Sequence, residues 1–296
     1  MTLSDAAMTI REFVARPRFD PAVLAATDPS YPRISIVMPV FNQAAFVERS
    51  ILSVLNQNYP NLELLVIDGG STDGSVEIES RYQNYFHHWE SKRDRGQSHA
   101  LNKGFARATG ELYGWMNSDD LYAPGALVCV AQALRDRPDA VAVYGDIDAI
   151  DVQDRQLSRE YAFDFSVNHL VFEGWHLGTQ ALFWRRDAHL RCGQFDESLH
   201  RTMDYDFILR LGLAAGAHRF YRVSCVLGCF RCHANQKTGR QDAVSDAENR
   251  AIAAKLNFSS KYRPVGRLLR AIFRARRVYW YLKRGGVRYT LGRLLR

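Results

Sequence analysis

Two adjacent carboxylates, Asp119 and Asp120, stand on a turn after the apolar run Leu112–Met116, preceded by Asn117 and Ser118. Side by side their charges repel. A divalent cation relieves that repulsion, and Mg2+ or Mn2+ commonly holds one or two carboxylates together with substrate phosphates. Such a cation would also act as a Lewis acid on a departing diphosphate. Two earlier apolar runs end in a similar way. The first ends in Pro39, Val40, Phe41 and Asn42, and the second in Asp68, Gly69, Gly70, Ser71, Thr72 and Asp73. Each segment alone is ordinary turn chemistry. Together they mark a binding edge, because open parallel sheets take ligands beyond the carboxyl ends of their strands. No G-x-G-x-x-G opens a helix and no G-x-x-x-x-G-K-[ST] occurs, so dinucleotide and P-loop sites lack support.

The elements carrying these edges alternate. Strands are predicted at Ile34–Pro39, Leu62–Ile67, near Phe86–Trp89, at Leu112–Met116 and at Val141–Tyr144. Helices are predicted at Ala44–Gln57, after a cap at Thr72 or Asp73, at Gln97–Ala108 and at Pro124–Arg135. That alternation predicts an α/β protein with a mostly parallel sheet covered on both faces. Beyond about residue 146 the pattern changes. Ser158–Phe165 and Gln180–Arg185 read as antiparallel or edge strands, Tyr205–Leu213 as a helix and Arg219–Arg231 as a strand. The expected divisions are a leader over 1–32, halves over 33–145 and 146–258, and a helical tail over 259–296.

The chain has 296 residues, 47% hydrophobic and 24% charged, which excludes disorder and disulfide-dense miniproteins. No run of 18 apolar residues suggests a transmembrane span, and no signal peptide is evident. The expected location is therefore cytoplasmic, with five reduced cysteines. The net charge of +7 conceals a division. After Glu248 the chain has 14 Lys and Arg and no acid, which leaves 25 basic against 32 acidic residues before it. A uniformly basic nucleic-acid binder would not look like this, and no nucleic-acid partner is expected.

The chain resembles the family 2 glycosyltransferases, inverting enzymes of the GT-A fold that use nucleotide-diphospho-sugars. The resemblance rests on Ser35–Asn42 (SIVMPVFN), Ser50–Gln57 (SILSVLNQ), Leu65–Ser75 (LVIDGGSTDGS), Asp94–Gly104 (DRGQSHALNKG) and Gly114–Gly125 (GWMNSDDLYAPG). It continues through Phe183–Arg186, Phe195–Glu197, Met203–Phe207 (MDYDF) and Phe230–His233 (FRCH), all in the family's order over roughly residues 34–238. It implies that Pro39, Val40, Phe41, Asn42, Asp68 and Gly70 hold the nucleobase, with Asp68 accepting from a ring N–H. Asp94, Asn102 and Lys103 would line the ribose and diphosphate, with Asn117 and Ser118 beside them. Asp119, Asp120 and His233 would form the Mn2+ or Mg2+ site, although Asn117 replaces the first Asp of the family's D-x-D. Asp204 stands where the family places its general base, with Asp206 the near competitor. Trp175, His176, Thr179, Gln180 and Asp206 would border the acceptor cleft. A UDP-sugar donor and a carbohydrate or lipid-linked acceptor, in polysaccharide or glycolipid synthesis, complete the implied reaction.

Three alternatives remain beside that implication. A silent nucleotide-sugar-binding scaffold would have lost its carboxylates and base, whereas Asp119, Asp120, Asp204 and His233 are all present. A nucleotidyltransferase would need a Gly-rich basic phosphate loop near its start. Cys229–His233 matches C-x-x-C-H, but haem attachment expects export. The tail mixes Arg and Lys with Leu, Trp and Tyr and suits an anionic membrane interface, making the protein peripheral on its inner face. Arg276 and Arg277 interrupt the apolar stripe, and packing on the acidic body or on a second subunit of a homodimer is the competing expectation.

Overall fold

The computed structural model describes residues 8–174, 177–234, 236–237, 243–258 and 264–294. Its strands are β1 (Ile34–Val40), β2 (Leu62–Asp68), β3 (His88–Ser91), β4 (Leu112–Trp115), β5 (Leu121–Tyr122), β6 (Ala142–Ile150), β7 (Gln156–Glu160), β8 (Leu182–Arg185) and β9 (Phe220–Arg231). They form one sheet in the order β3-β2-β1-β4-β8-β6-β9-β5, with β7 alongside β6. The segment β3-β2-β1-β4 is parallel throughout. β8 runs antiparallel between β4 and β6, and β6 is parallel to β9. The α/β class with a helix-covered sheet is thus as expected. Because β4 pairs with β8, hydrogen bonding runs without a break from the first half into the second.

β1 is buried along its whole length because helices cover both faces. Its alternation divides the core: Ile34, Ile36, Met38 and Val40 meet Val47, Ile51 and Leu55 on one face. Val37 joins Leu65, Ile67, Leu101 and Phe105 on the other. The helices over these faces, Val47–Leu55 and Gln97–Phe105, each begin at the carboxyl edge of the sheet, so their first turns border the predicted site.

Several expectations need correction. The leader packs on the body and carries short helices Ile10–Phe13 and Pro21–Ala25: Phe13 and Val14 are buried, and Asn56 Nδ2 donates to Phe13 O at 2.6 Å and to Arg16 O at 3.1 Å. Short helices Val167–Glu173 and Arg186–Cys192 fill stretches that carry no clear periodicity. A helix at Ala243–Lys255 precedes the tail helix Pro264–Leu294, which breaks at Gly286 (φ 73°). The helix Ala126–Asp136 packs on β9 and brings Cys129 to Cys225 in a disulfide, correcting the expectation of five reduced thiols. No helix among the described residues is long and apolar enough to cross a membrane.

Candidate active site

The carboxyl ends of β1, β2 and β4 converge as their sequences suggest, but not every side chain faces outward. Pro39 and Val40 are buried in β1, and only Phe41, 61% exposed, and Asn42 emerge. Asn42 takes a left-handed conformation (φ 52°), with its amide donating to Ser71 Oγ at 2.8 Å and its Oδ1 accepting from Thr72 N at 3.0 Å. This ties the first edge to the second. Asp68 is fully buried and accepts from the amides of Gly70 and Ser71 and from the hydroxyls of Ser71 and Ser91. Its carboxylate organises the loop, which differs from the expected acceptor facing a nucleobase. Gly70 turns at φ 88°, and Gly69 lets the half-buried Asp94 approach so closely that a Cβ there would lie 3.0 Å from Asp94 Oδ2. Asp94 therefore stands against the loop that follows β2.

After β4, neighbouring residues point opposite ways. Asp119 is partly exposed, and its Oδ2 lies 3.0 Å from His233 Nε2. Asp120 is 1% exposed; its Oδ1 accepts from Arg231 N at 2.9 Å and its Oδ2 from Asn117 Nδ2 at 3.2 Å. Burial and the Asp119 charge hold its carboxyl well above the usual range. Asp120 is thus a buried strut rather than the expected metal ligand, and of the three residues only Asp119 and His233 lie side by side. Asn117 Oδ1 accepts from Gln97 Nε2 and Trp115 Nε1, both at 2.8 Å, and Ser118 is buried.

Arg231, fully buried, holds this corner together. It donates to Asp119 O at 2.7 Å and Asp151 O at 3.1 Å, pairs with Asp154, and lies over the Phe46 ring, which itself meets His233. A hard cation takes few protein ligands and fills its shell with phosphate and water oxygens. One carboxylate oxygen and one imidazole nitrogen side by side fit that habit. Among the described residues no group of three or more His, Cys, Asp or Glu could hold a metal unaided.

Asp204 lies in the first turn of the helix Met203–Ala215, half-buried, with Oδ1 accepting from Tyr205 N at 2.8 Å. Burial pushes its carboxyl up to about 6, with a smaller contribution from the Glu248 charge. Glu248, on the helix Ala243–Lys255, accepts the successive amides of His200, Arg201 and Thr202 at 2.8, 3.0 and 3.0 Å. It thereby fixes the chain entering the Asp204 helix. Ser98 Oγ lies 2.7 Å from Met203 Sδ, which packs the start of the Asp204 helix against the helix Gln97–Phe105.

Asp206 has no exposure, and its Oδ2 pairs with Arg210 at 2.7 Å; it does not border a cleft. Asn102 also turns inward, clamping Phe195 through both its amide and carbonyl and reaching Glu197. Lys103 pairs with Glu90 at the sheet edge. Thr179 and Gln180 are buried, Gln180 against Gly228 of β9, and so leave the expected acceptor cleft. Trp175 and His176 lie outside the described residues. Gln97, Lys237, Arg231 and Glu248 are additional to the expected set. Lys237 Nζ donates to Gln97 Oε1 at 3.3 Å, and its place after His233 was the available signal.

Residues 35–194 match the Glycosyl transferase family 2 profile. An uncharacterized glycosyltransferase of Rickettsia typhi is 31% identical over 59% of this chain and 57% of its own length. The chain thus spans little more than half of that relative. Among solved structures, Staphylococcus aureus TarS 1–349 in complex with UDP-GlcNAc aligns with TM-score 0.64 and 17% identity, over 86% of this chain and 74% of its own. Mannosyltransferase PcManGT from Pyrobaculum calidifontis, in complex with GDP-Man and Mn2+, aligns at 0.53 and 19%, over 96% and 84%. These likenesses carry the fold, and the profile carries the family. The chain belongs to glycosyl transferase family 2.

Proposed function

We propose that the chain transfers a sugar from a nucleotide-diphospho-sugar to an acceptor hydroxyl with inversion, using Asp204 as the base. The donor would lie across the carboxyl edge of the sheet, its base against Phe41 and Asn42 and its ribose side toward Asp94. Asp119 and His233 would hold a divalent cation there, which when bound neutralises charge on the departing diphosphate. The reading is supported by Asp119 beside His233, and by the Asp204 carboxyl raised to about 6 in the first turn of its helix.

A sugar hydroxyl is a poor nucleophile at neutral pH, so its proton must leave as the new bond forms. Asp204 accepts that proton while the hydroxyl oxygen bonds to the anomeric carbon and the bond from that carbon to the diphosphate oxygen breaks. One displacement inverts the anomeric centre. A carboxyl near 6 is a stronger base than an ordinary one and is still mostly ionised at pH 7.

Incubating the chain with a panel of nucleotide sugars, Mn2+ or Mg2+ and candidate acceptors tests the reading. Release of nucleoside diphosphate together with a product of opposite anomeric configuration supports it. Retained configuration contradicts the single displacement, and binding without turnover across the panel favours a silent scaffold.

A further inference from the structure

The tail helix presents two faces. Toward the body, Phe273 and Tyr281 are buried and Trp280 Nε1 donates to Ala162 O at 3.0 Å. Arg277, Arg284 and Arg293 pair there with Glu173, Asp146 and Glu160. Away from the body, Leu268, Ile272, Tyr279 and Leu282 are 64%, 47%, 68% and 43% exposed. At about 100° per residue these four fall within roughly 80° of arc. The exposed Arg267 borders that stripe on one side, beside Arg274, which also reaches Glu173 at 3.8 Å, and the exposed Arg276 and Lys283 border it on the other. Arg276 therefore flanks the stripe and Arg277 faces the body, so neither interrupts it.

We propose that this outer face seats the protein on an anionic lipid bilayer, with the inner face still docked on the body. Leu268, Ile272, Tyr279 and Leu282 would enter the boundary between headgroups and acyl chains, and Arg267, Arg276 and Lys283 would meet lipid phosphates. The tail carries no acid of its own to compete for them. A second copy fits less well. A symmetric contact along this stripe would set the same cationic borders against each other. A bilayer supplies both the apolar layer and the opposite charge. Docking on the body does not compete with this, because Arg277 and Arg284, paired with Glu173 and Asp146, lie on the other side of the helix, and Arg293, paired with Glu160, lies beyond the break at Gly286.

Flotation of the full chain with vesicles tests the proposal. Vesicles of equal parts phosphatidylglycerol and phosphatidylcholine should carry the chain up at low salt and less so at high salt, and phosphatidylcholine alone should not. The variant Leu268→Gln/Ile272→Gln/Leu282→Gln should bind about tenfold more weakly or worse, with its Tm unchanged because all three side chains are exposed. Should that variant misfold, Arg276→Gln/Lys283→Gln must still weaken binding. The proposal is overturned by a wild-type chain that stays down with anionic vesicles, or by folded variants that float as it does. It is equally overturned by a dimer in sedimentation equilibrium that the triple variant dissolves while vesicle binding persists.

Discussion

His233 Nε2 stands 3.0 Å from Asp119 Oδ2, although 114 residues of chain separate them. Their meeting depends on β9, which runs parallel to β6 and delivers Arg231 and then His233 beside the loop that follows β4. In the proposed reaction the pair would hold a cation at the diphosphate, which leads to the first expectation. Asp119→Ala should abolish transfer with an unchanged circular dichroism spectrum, and chelator should do the same to the parent reversibly. Full activity in excess chelator would remove the cation from the account.

Arg231 tests the corner from beneath. Its guanidinium is the buried partner of Asp154 and a support for Asp119 O. Arg231→Met should destabilise the fold by about 1–3 kcal/mol, because the Asp119 and Asp151 carbonyls lose their buried donor while Asp154 keeps its pair with Arg49 at 2.8 Å. Thermal unfolding would show this, and a Tm within a degree of the parent would contradict the arrangement.

The pH dependence should follow Asp204. A base whose carboxyl titrates near 6 is lost by protonation below that value. The rate constant kcat/KM should therefore fall about tenfold per pH unit below 6 and level off above it. An acid limb centred near 4 would mean that burial does not raise this carboxyl in solution.

Glu248→Gln should act on that same limb. The amide can still accept from the Arg201 and Thr202 amides, but its negative charge near Asp204 is gone. The Asp204 carboxyl then titrates lower, and the acid limb should move toward lower pH. A loss of stability with no movement of the limb would reduce Glu248 to a structural clamp.

Much of the fold could be read from the residues because β1, β2 and β4 are apolar runs that stop abruptly at Asp, Asn or Gly. The site was less legible at the level of single side chains. Asp119 and Asp120 are equivalent in sequence, yet the turn exposes one and points the other into hydrogen bonds with Arg231 and Asn117. Asn102 likewise lies on a helix beside the donor edge but faces Phe195, a partner that only tertiary packing supplies. The tail shows the same limit. Its two faces separate only when Glu173, Asp146 and Glu160 mark which side is inward.

In the proposed reaction Asp204 takes the acceptor's proton, and comparing transfer rate with donor affinity in Asp204→Asn tests that step. The substitution keeps size and removes basicity, and the proposed donor site, from the ends of β1, β2 and β4 with Asp94 and His233, takes no residue from this helix. Transfer should slow ~10²–10⁴-fold with the nucleotide-sugar Kd nearly unchanged. Asp206→Asn serves as the control: it removes the charge paired with Arg210 and should lower Tm more than it lowers the rate of folded protein. If Asp204→Asn transfers at the parental rate, Asp204 is not the base and the proposed mechanism is wrong.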